Sequence, residues 1–332
     1  MKALKAGAAF GLVAASLLAV DVQAQAPSQS YPRKAIQLIV PNQPGGAFDA
    51  AARPLALAMA ASLGQPLVID NRPAAQGVAG TLAAARATPD GYTLLFVGSS
   101  NISFLPILRP NLPYDPQKDL APIIRLGFLD SFVVVHPSVP AQNFKELLEL
   151  AKAKPETITF GTWGPTSNPN LYIEWLKRTK GISFFPVPYK TAPQALTAVL
   201  SGEVQAMVFG QGQLVPMIKA GKLRPLAATG QERSPFMPNI PPLKDTGTGF
   251  DLETPLWVGL FAPAGTPRDI VMKLNTTVGA LLADPGYTDK ALVSLGYLPD
   301  KPQTPEQFAA AIRRDRALYA DLIKVTGVKD EE

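Results

Sequence analysis

The chain has 332 residues, 47% of them hydrophobic and 17% charged, a globular balance with room for about two domains. It has no cysteine and one histidine, His136, which excludes disulfides, thiol nucleophiles, iron–sulfur clusters and multi-histidine metal sites. The formal charge of +5 is spread without a dense basic run, which argues against a nucleic-acid partner.

Residues 1–24 read as a secretory signal peptide. Lys2 and Lys5 form a positive start, Ala6 to Val20 is uncharged and mostly apolar, and Val22-Gln23-Ala24 is a small-residue cleavage site. Cleavage after Ala24 keeps Pro27 away from the scissile bond. The apolar run of 15 residues is shorter than the roughly 20 that a membrane span needs. No later segment is apolar enough to span, and no cysteine is present for lipid attachment. The expected product is exported to the periplasm, and its stability must come from its core.

Residues 35–40 (AIQLIV) form a short β-branched run ended by Pro41. A loop over 42–46 and a helix over 49–63 follow, with Gly64 closing the helix. A second strand is expected at 67–70, an alanine-rich helix at 77–86 and a third strand at 92–97. Pro54 falls inside the first helix, so either the regular helix begins near Ala52 or it is kinked. The order returns with a strand at 157–160, a helix at 170–179, a strand at 183–187, a helix at 192–200 and a strand at 204–209. Strands alternating with helices imply parallel sheets with helices on their faces. Thr266-Pro267-Arg268-Asp269 reads as a capping box for a helix to about 283, and Thr304-Pro305-Glu306-Gln307 repeats the device for a helix to about 325. Two crossings, at 123–135 and 256–262, divide the chain into a first lobe of 25–126 plus 256–332 and an inserted second lobe of 127–255. Such a pair can hinge over a ligand.

In open α/β sheets ligands bind beyond the carboxyl ends of the strands. The loops to watch are therefore 41–49, 98–103, 161–170 and 188–193. In the first, PNQPGGAFD, Gly45-Gly46 lets backbone approach a ligand, and the following helix start suits an anion. An ordinary strand-to-helix turn is the alternative. It is no P-loop, because GxxxxGK[ST] is missing. Ser99, Ser100 and Asn101 in the second loop, with Gly164, Thr166, Ser167 and Asn168 in the third, add neutral donors, or simply cap helices. Tyr189, Lys190 and Thr191 occupy the fourth.

Residues 40–53, VPNQPGGAFDAAAR, resemble the signature of the substrate-binding receptors of tripartite tricarboxylate transporters, the Bug family. Residues 187–195 (VPYKTAPQA), 200–208 (LSGEVQAMV), 218–228 (IKAGKLRPLAA) and 256–267 (LWVGLFAPAGTP) continue the likeness over nearly the whole mature chain. The resemblance implies a Venus-flytrap fold of the type II periplasmic binding proteins, with two α/β lobes joined by two hinge crossings. It implies a receptor that captures a small organic carboxylate for a membrane permease; a monomer without cofactor or metal is expected. A ligand-sensing co-receptor of a two-component system is the alternative. It implies a carboxylate grip through main-chain groups of Gly46, Ala47, Phe48 and Asp49.

The chain departs from the family pattern where a histidine is usual, at Asn170, and where a glycine is usual, at Thr191. Gln205 and Phe209 stand where relatives usually carry acids. With Phe48 and Trp163, these departures make the cleft less acidic and more aromatic than average, which favours a carboxylate with an apolar or aromatic body over an amino acid. Enzyme chemistry finds no support: GxSxG is absent, and His136, after three valines and before Pro137, reads as structural.

Overall fold

The computed structural model describes residues 31–164, 167–249 and 256–329. The expected signal peptide, Thr166 and residues 250–255 lie outside them. The first lobe begins with β1 (Ile36–Val40), α1 (Ala47–Leu63), β2 (Leu67–Asn71), α2 (Val78–Ala85), β3 (Thr93–Gly98), the short α3 (Leu105–Leu108) and α4 (Pro116–Asp119), and β4 (Leu120–Phe128). The second comprises β5 (Ser131–Val135), α5 (Phe144–Ala153), β6 (Thr159–Thr162), α6 (Asn168–Lys180), β7 (Phe185–Pro188), α7 (Ala192–Ser201), β8 (Ala206–Gly210), α8 (Gln211–Lys219) and β9 (Arg224–Ala228). The chain then returns with β10 (Trp257–Pro263), α9 (Arg268–Leu282), α10 (Pro285–Ala291), β11 (Leu298–Pro299) and α11 (Pro305–Thr326).

The strands form two sheets, ordered β11-β4-β10-β3-β1-β2 and β7-β6-β8-β5-β9. The expectation of parallel sheets holds for β1, β2 and β3 and for β6, β7 and β8. It fails at β10, antiparallel to β3 and β4, and at β5, antiparallel to β8 and β9. The reason is connectivity: a strand arriving from the other lobe enters its sheet at the end where the local strands finish, so it must run against them. The crossings are accordingly narrower than the expected 123–135 and 256–262. The first is Leu129-Asp130, between β4 and β5, and the second ends at Leu256, where β10 begins. The Leu129 N–H donates to the Leu256 carbonyl at 2.8 Å, tying the two crossings side by side.

Strand β5 shows why both faces of a sheet are covered. All five residues of SFVVV are buried. Val133 and Val135 join Phe160, Tyr172 and Leu176 on one face, while Phe132 and Val134 join Val199, Met207 and Leu214 on the other. That is the two-residue period of a strand packed between helical layers. In the first lobe Trp257, Phe261 and Phe308 form the aromatic centre of the core. The Trp257 indole N–H donates to the Asp315 carboxylate at 2.6 Å, satisfying a buried donor.

Helix α1 runs unbroken from Ala47 with Pro54 inside it, so the start near Ala52 is not adopted. Of the two expected capping boxes, only Thr304 with Gln307 forms. Thr266 instead turns its hydroxyl to the Pro263 carbonyl, 2.8 Å away, and α9 begins after Pro267 without a side-chain cap.

Among the described residues, the lobes also touch away from the crossings. Leu171 of α6 packs with Tyr319 and Leu322 of α11, and Gln211 at the start of α8 donates its side-chain amide to the Gly296 carbonyl at 3.3 Å.

Asp130 lies on the first crossing with its carboxyl against Gly230, and burial pushes its pKa up to about 6 from 3.8. The unfolded chain therefore ionises first. The cost is absent below about pH 4, grows as pH rises from 4 to 6, and is complete above, amounting to roughly 2–3 kcal/mol. Asp130→Asn should melt above the parent at pH 7.5 and lose that advantage at pH 4. Equal melting differences at both values would contradict it.

Candidate functional site

The first loop is built to leave a helix start open. Pro41 ends β1, Gly45 takes a left-handed turn at φ +78°, and Gly46 sits extended as the N-cap of α1 with no side-chain cap bond. The first helical bond runs from the Ala50 N–H to the Gly46 carbonyl, 2.9 Å. The N–H groups of Ala47, Phe48 and Asp49 therefore stand before the ladder, at the positive end of the helix dipole.

Asp49 supports this loop. Its carboxylate accepts from the Gly45 N–H at 2.8 Å, from Arg53 at 2.8 and 3.0 Å, and from Asn71 at 3.0 Å. Burial pushes its pKa up, but these hydrogen bonds and the Arg53 charge outweigh burial and hold the carboxyl below its ordinary value. Its side chain thus fastens the loop from behind.

At the end of β3, Gly98 makes room for the Phe48 ring: a Cβ there would fall 2.6 Å from Cε1. Buried Ser99 accepts from the Trp257 N–H at 3.4 Å and shares a hydrogen bond with the Tyr319 hydroxyl. Ser100–Phe104 form a π-helical turn. Asn101 donates its amide to the Gln76 carbonyl at 3.0 Å and accepts the Tyr114 hydroxyl on its own carbonyl. Gln76 and Ala75 are left-handed, at φ 56° and 52°, which costs a non-glycine residue about 1–2 kcal/mol.

In the second lobe, Ser167 precedes α6 and donates its hydroxyl to the Gly164 carbonyl at 2.7 Å. It folds the loop on itself and leaves the α6 start without a side-chain cap. The Trp163 and Phe209 rings meet edge to face, centroids 5.9 Å apart. Helix α8 starts after Gly210, again without a side-chain cap.

These parts enclose two adjoining cavities between the sheets. The larger, about 450 Å³, holds Phe48, Gln76, Ser99, Ser100, Asn101, Trp163, Ser167, Asn168 and Lys190, with Leu129 and Leu256 of the crossings and Tyr319 of α11. The smaller, about 290 Å³, shares Phe48, Leu129, Trp163, Asn168 and Leu256 and adds Ala47, Ser131, Ala192, Val208, Phe209, Gly210, Gly212, Gln213 and Leu295. The starts of α1, α6, α7 and α8 all reach this pair. Among the described lining residues Lys190 alone is charged, and no acidic side chain is present.

Of the residues expected from sequence, Ala47, Phe48, Ser99, Ser100, Asn101, Trp163, Ser167, Asn168, Lys190 and Phe209 come together in the walls. Gly46, Asp49 and Gly164 lie next to lining residues but not among them. Tyr189 directs its hydroxyl to Glu203, 2.9 Å, and Thr191 accepts from the Gln194 N–H as the N-cap of α7. His136 pairs with Ser138 outside the walls. Sequence reasoning missed Gln76, Leu129, Leu256 and Tyr319. Only the crossing leucines carried a signal, as neighbours of the expected hinge.

The sequence model of the tripartite tricarboxylate transporter family receptor, TctC, matches residues 51–324. The chain belongs to this family. BugT of Bordetella pertussis is 32% identical over 309 residues, 93% of this chain and 94% of BugT. A solved periplasmic transporter is 37% identical with a TM-score of 0.77, covering 90% of this chain and 99% of its own. An R. palustris protein solved with adipate gives 29% identity and a TM-score of 0.79, with 90% of this chain and 99% of its own covered. MatC from Rhodopseudomonas palustris, solved with bound malate, gives 28% and 0.72, with 88% and 100% covered. As a TctC receptor, the chain has the two-lobe α/β fold of the periplasmic solute-binding proteins and acts by binding, not by catalysis. The walls suit that role: they hold donors, hydroxyls and rings, with no nucleophile–base pair among the described lining residues.

Proposed function

We propose that this TctC receptor, exported through residues 1–24, captures a small organic carboxylate between its lobes and hands it to the membrane subunits of a tripartite tricarboxylate-type transporter. The observation that carries the reading is the convergence of four helix starts and Lys190 on cavities without a described acidic side chain. Each helix start brings partial positive charge, and those of α1, α6 and α8, which have no side-chain cap, leave N–H groups open, whereas Thr191 caps α7. Together they replace the water that a carboxylate loses on entry. The neutral donors Ser100, Asn101, Ser167 and Asn168 complete the cradle, and the two crossings are where closure would bend. Only contacts made in the closed arrangement drive closure.

A carboxylic acid and its primary amide separate anion recognition from shape. Calorimetry with a panel of mono-, di- and tricarboxylates should find at least one acid that binds while its amide binds about a hundredfold more weakly or not at all. Equal affinity of acid and amide would refute anion capture. Lys190→Met should weaken the best acid about five- to tenfold, the worth of one charge-assisted contact in a partly solvated cleft. An unchanged affinity would remove Lys190 from the site.

A further inference from the structure

The two cavities differ in chemistry, and the difference selects a shape of ligand. The larger carries Lys190 and more of the hydroxyls and amides, with Ser131, Asn168 and Gln213 as the polar side chains of the smaller. The smaller is walled by Trp163, Phe209, Val208, Ala192 and Leu295, and among its described lining residues none is charged. The edge-to-face pair of Trp163 and Phe209 presents ring surface at the passage between them, since Trp163 lines both. A space of about 290 Å³ is large enough for a six-membered ring. We infer that the physiological ligand is a monocarboxylate with an apolar, ring-sized body, its carboxylate in the larger cavity and its body against Trp163 and Phe209.

This inference rests on the carboxylate reading above. A second carboxylate on the ligand would enter a chamber with no cationic side chain, where only helix starts and the neutral groups of Ser131, Asn168 and Gln213 could meet it, and would recover less of its hydration than the first does beside Lys190. A ring instead exchanges water for apolar and edge-to-face contact. Gln213, exposed at the start of α8, is the lining side chain best placed to change this. An arginine there would supply the missing cation at a solvent-exposed position where the fold tolerates it.

The test is calorimetry with 3-phenylpropanoate and adipate as probes. The parent should bind 3-phenylpropanoate at least tenfold more tightly than adipate. Phe209→Leu should weaken 3-phenylpropanoate about tenfold and adipate clearly less, and Gln213→Arg should move the preference towards adipate about tenfold or more. Adipate binding as tightly as 3-phenylpropanoate to the parent would overturn the inference while leaving carboxylate capture intact. Binding of 3-phenylpropanamide as tight as the acid would overturn the carboxylate reading and this inference with it.

Discussion

Replacing Gly98 with alanine is expected to lower ligand affinity about a hundredfold. A Cβ at Gly98 would lie 2.6 and 2.7 Å from two carbons of the Phe48 ring, with the Trp257 carbonyl 3.5 Å away on another side. Contacts that short are not tolerated, so the ring must move. Phe48 is the second residue of α1, and its side chain lines both cavities. Displacement fills the space meant for ligand and drags on the helix start that offers the N–H groups. Overpacking of this kind also costs roughly 1–3 kcal/mol of stability, so the melting temperature should fall by several degrees. The double variant Gly98→Ala with Phe48→Leu removes the ring carbons in conflict and should recover most of the stability and part of the affinity. Calorimetry and thermal melts of both variants decide this. Parental affinity in Gly98→Ala would show that the Phe48 ring has no bearing on the site.

Gly212→Ala should weaken binding by about thirtyfold or more through a different route, by holding the lobes apart. Gly212 is the second residue of α8 in the second lobe. It faces the turn before β11 in the first, where a Cβ would stand 2.6 Å from the Leu295 carbonyl oxygen and 3.0 Å from the Gly296 Cα. Gly296 is left-handed at φ +87° and returns the contact, its own Cβ position overlapping the Gly212 backbone. Both obstacles are backbone, which cannot swing aside as a side chain can. Next to this contact, Gln211 bonds the Gly296 carbonyl and accepts the Ser234 hydroxyl at 2.6 Å. Gly212 and Leu295 both line the smaller cavity, so a wedge between them widens it directly. Each lobe keeps its own core, and the melting temperature without ligand should fall little. Small-angle scattering at saturating ligand should show a larger radius of gyration than the liganded parent. A liganded Gly212→Ala protein as compact and as tight-binding as the parent would show that the lobes do not need this contact.

How far these features could be read from residues alone differs by type. The β-branched runs at 35–40, 67–70 and 92–97 announced β1, β2 and β3 because local composition and burial agree there. Strand direction did not show: β5 and β10 read as crossings because apolar runs look alike whichever way the chain enters a sheet. Helix α8 was hidden by Pro216, which marks a break in sequence but lies inside the helix. The Gly45-Gly46 loop and the serine-rich loops were legible because a ligand-facing loop after a strand demands small and polar residues. Gln76 was not, since nothing local distinguishes a glutamine held left-handed by its tertiary setting. Tyr319 was not either, because it reaches Ser99 from a helix 220 positions on in the chain. Tyr189 and Thr191 sit in a loop of the right kind, yet their side chains serve Glu203 and the α7 cap.

A crystal structure of the protein with its tightest-binding carboxylate would show directly whether the α1 start and the second lobe hold the anion together. The carboxylate should lie between the two sheets, its oxygens within hydrogen-bond distance of main-chain N–H groups at Ala47 or Phe48 and of donors from the second lobe, with the ligand body extending toward Trp163 and Phe209. A carboxylate bound away from the α1 start, or held by one lobe alone, would contradict it.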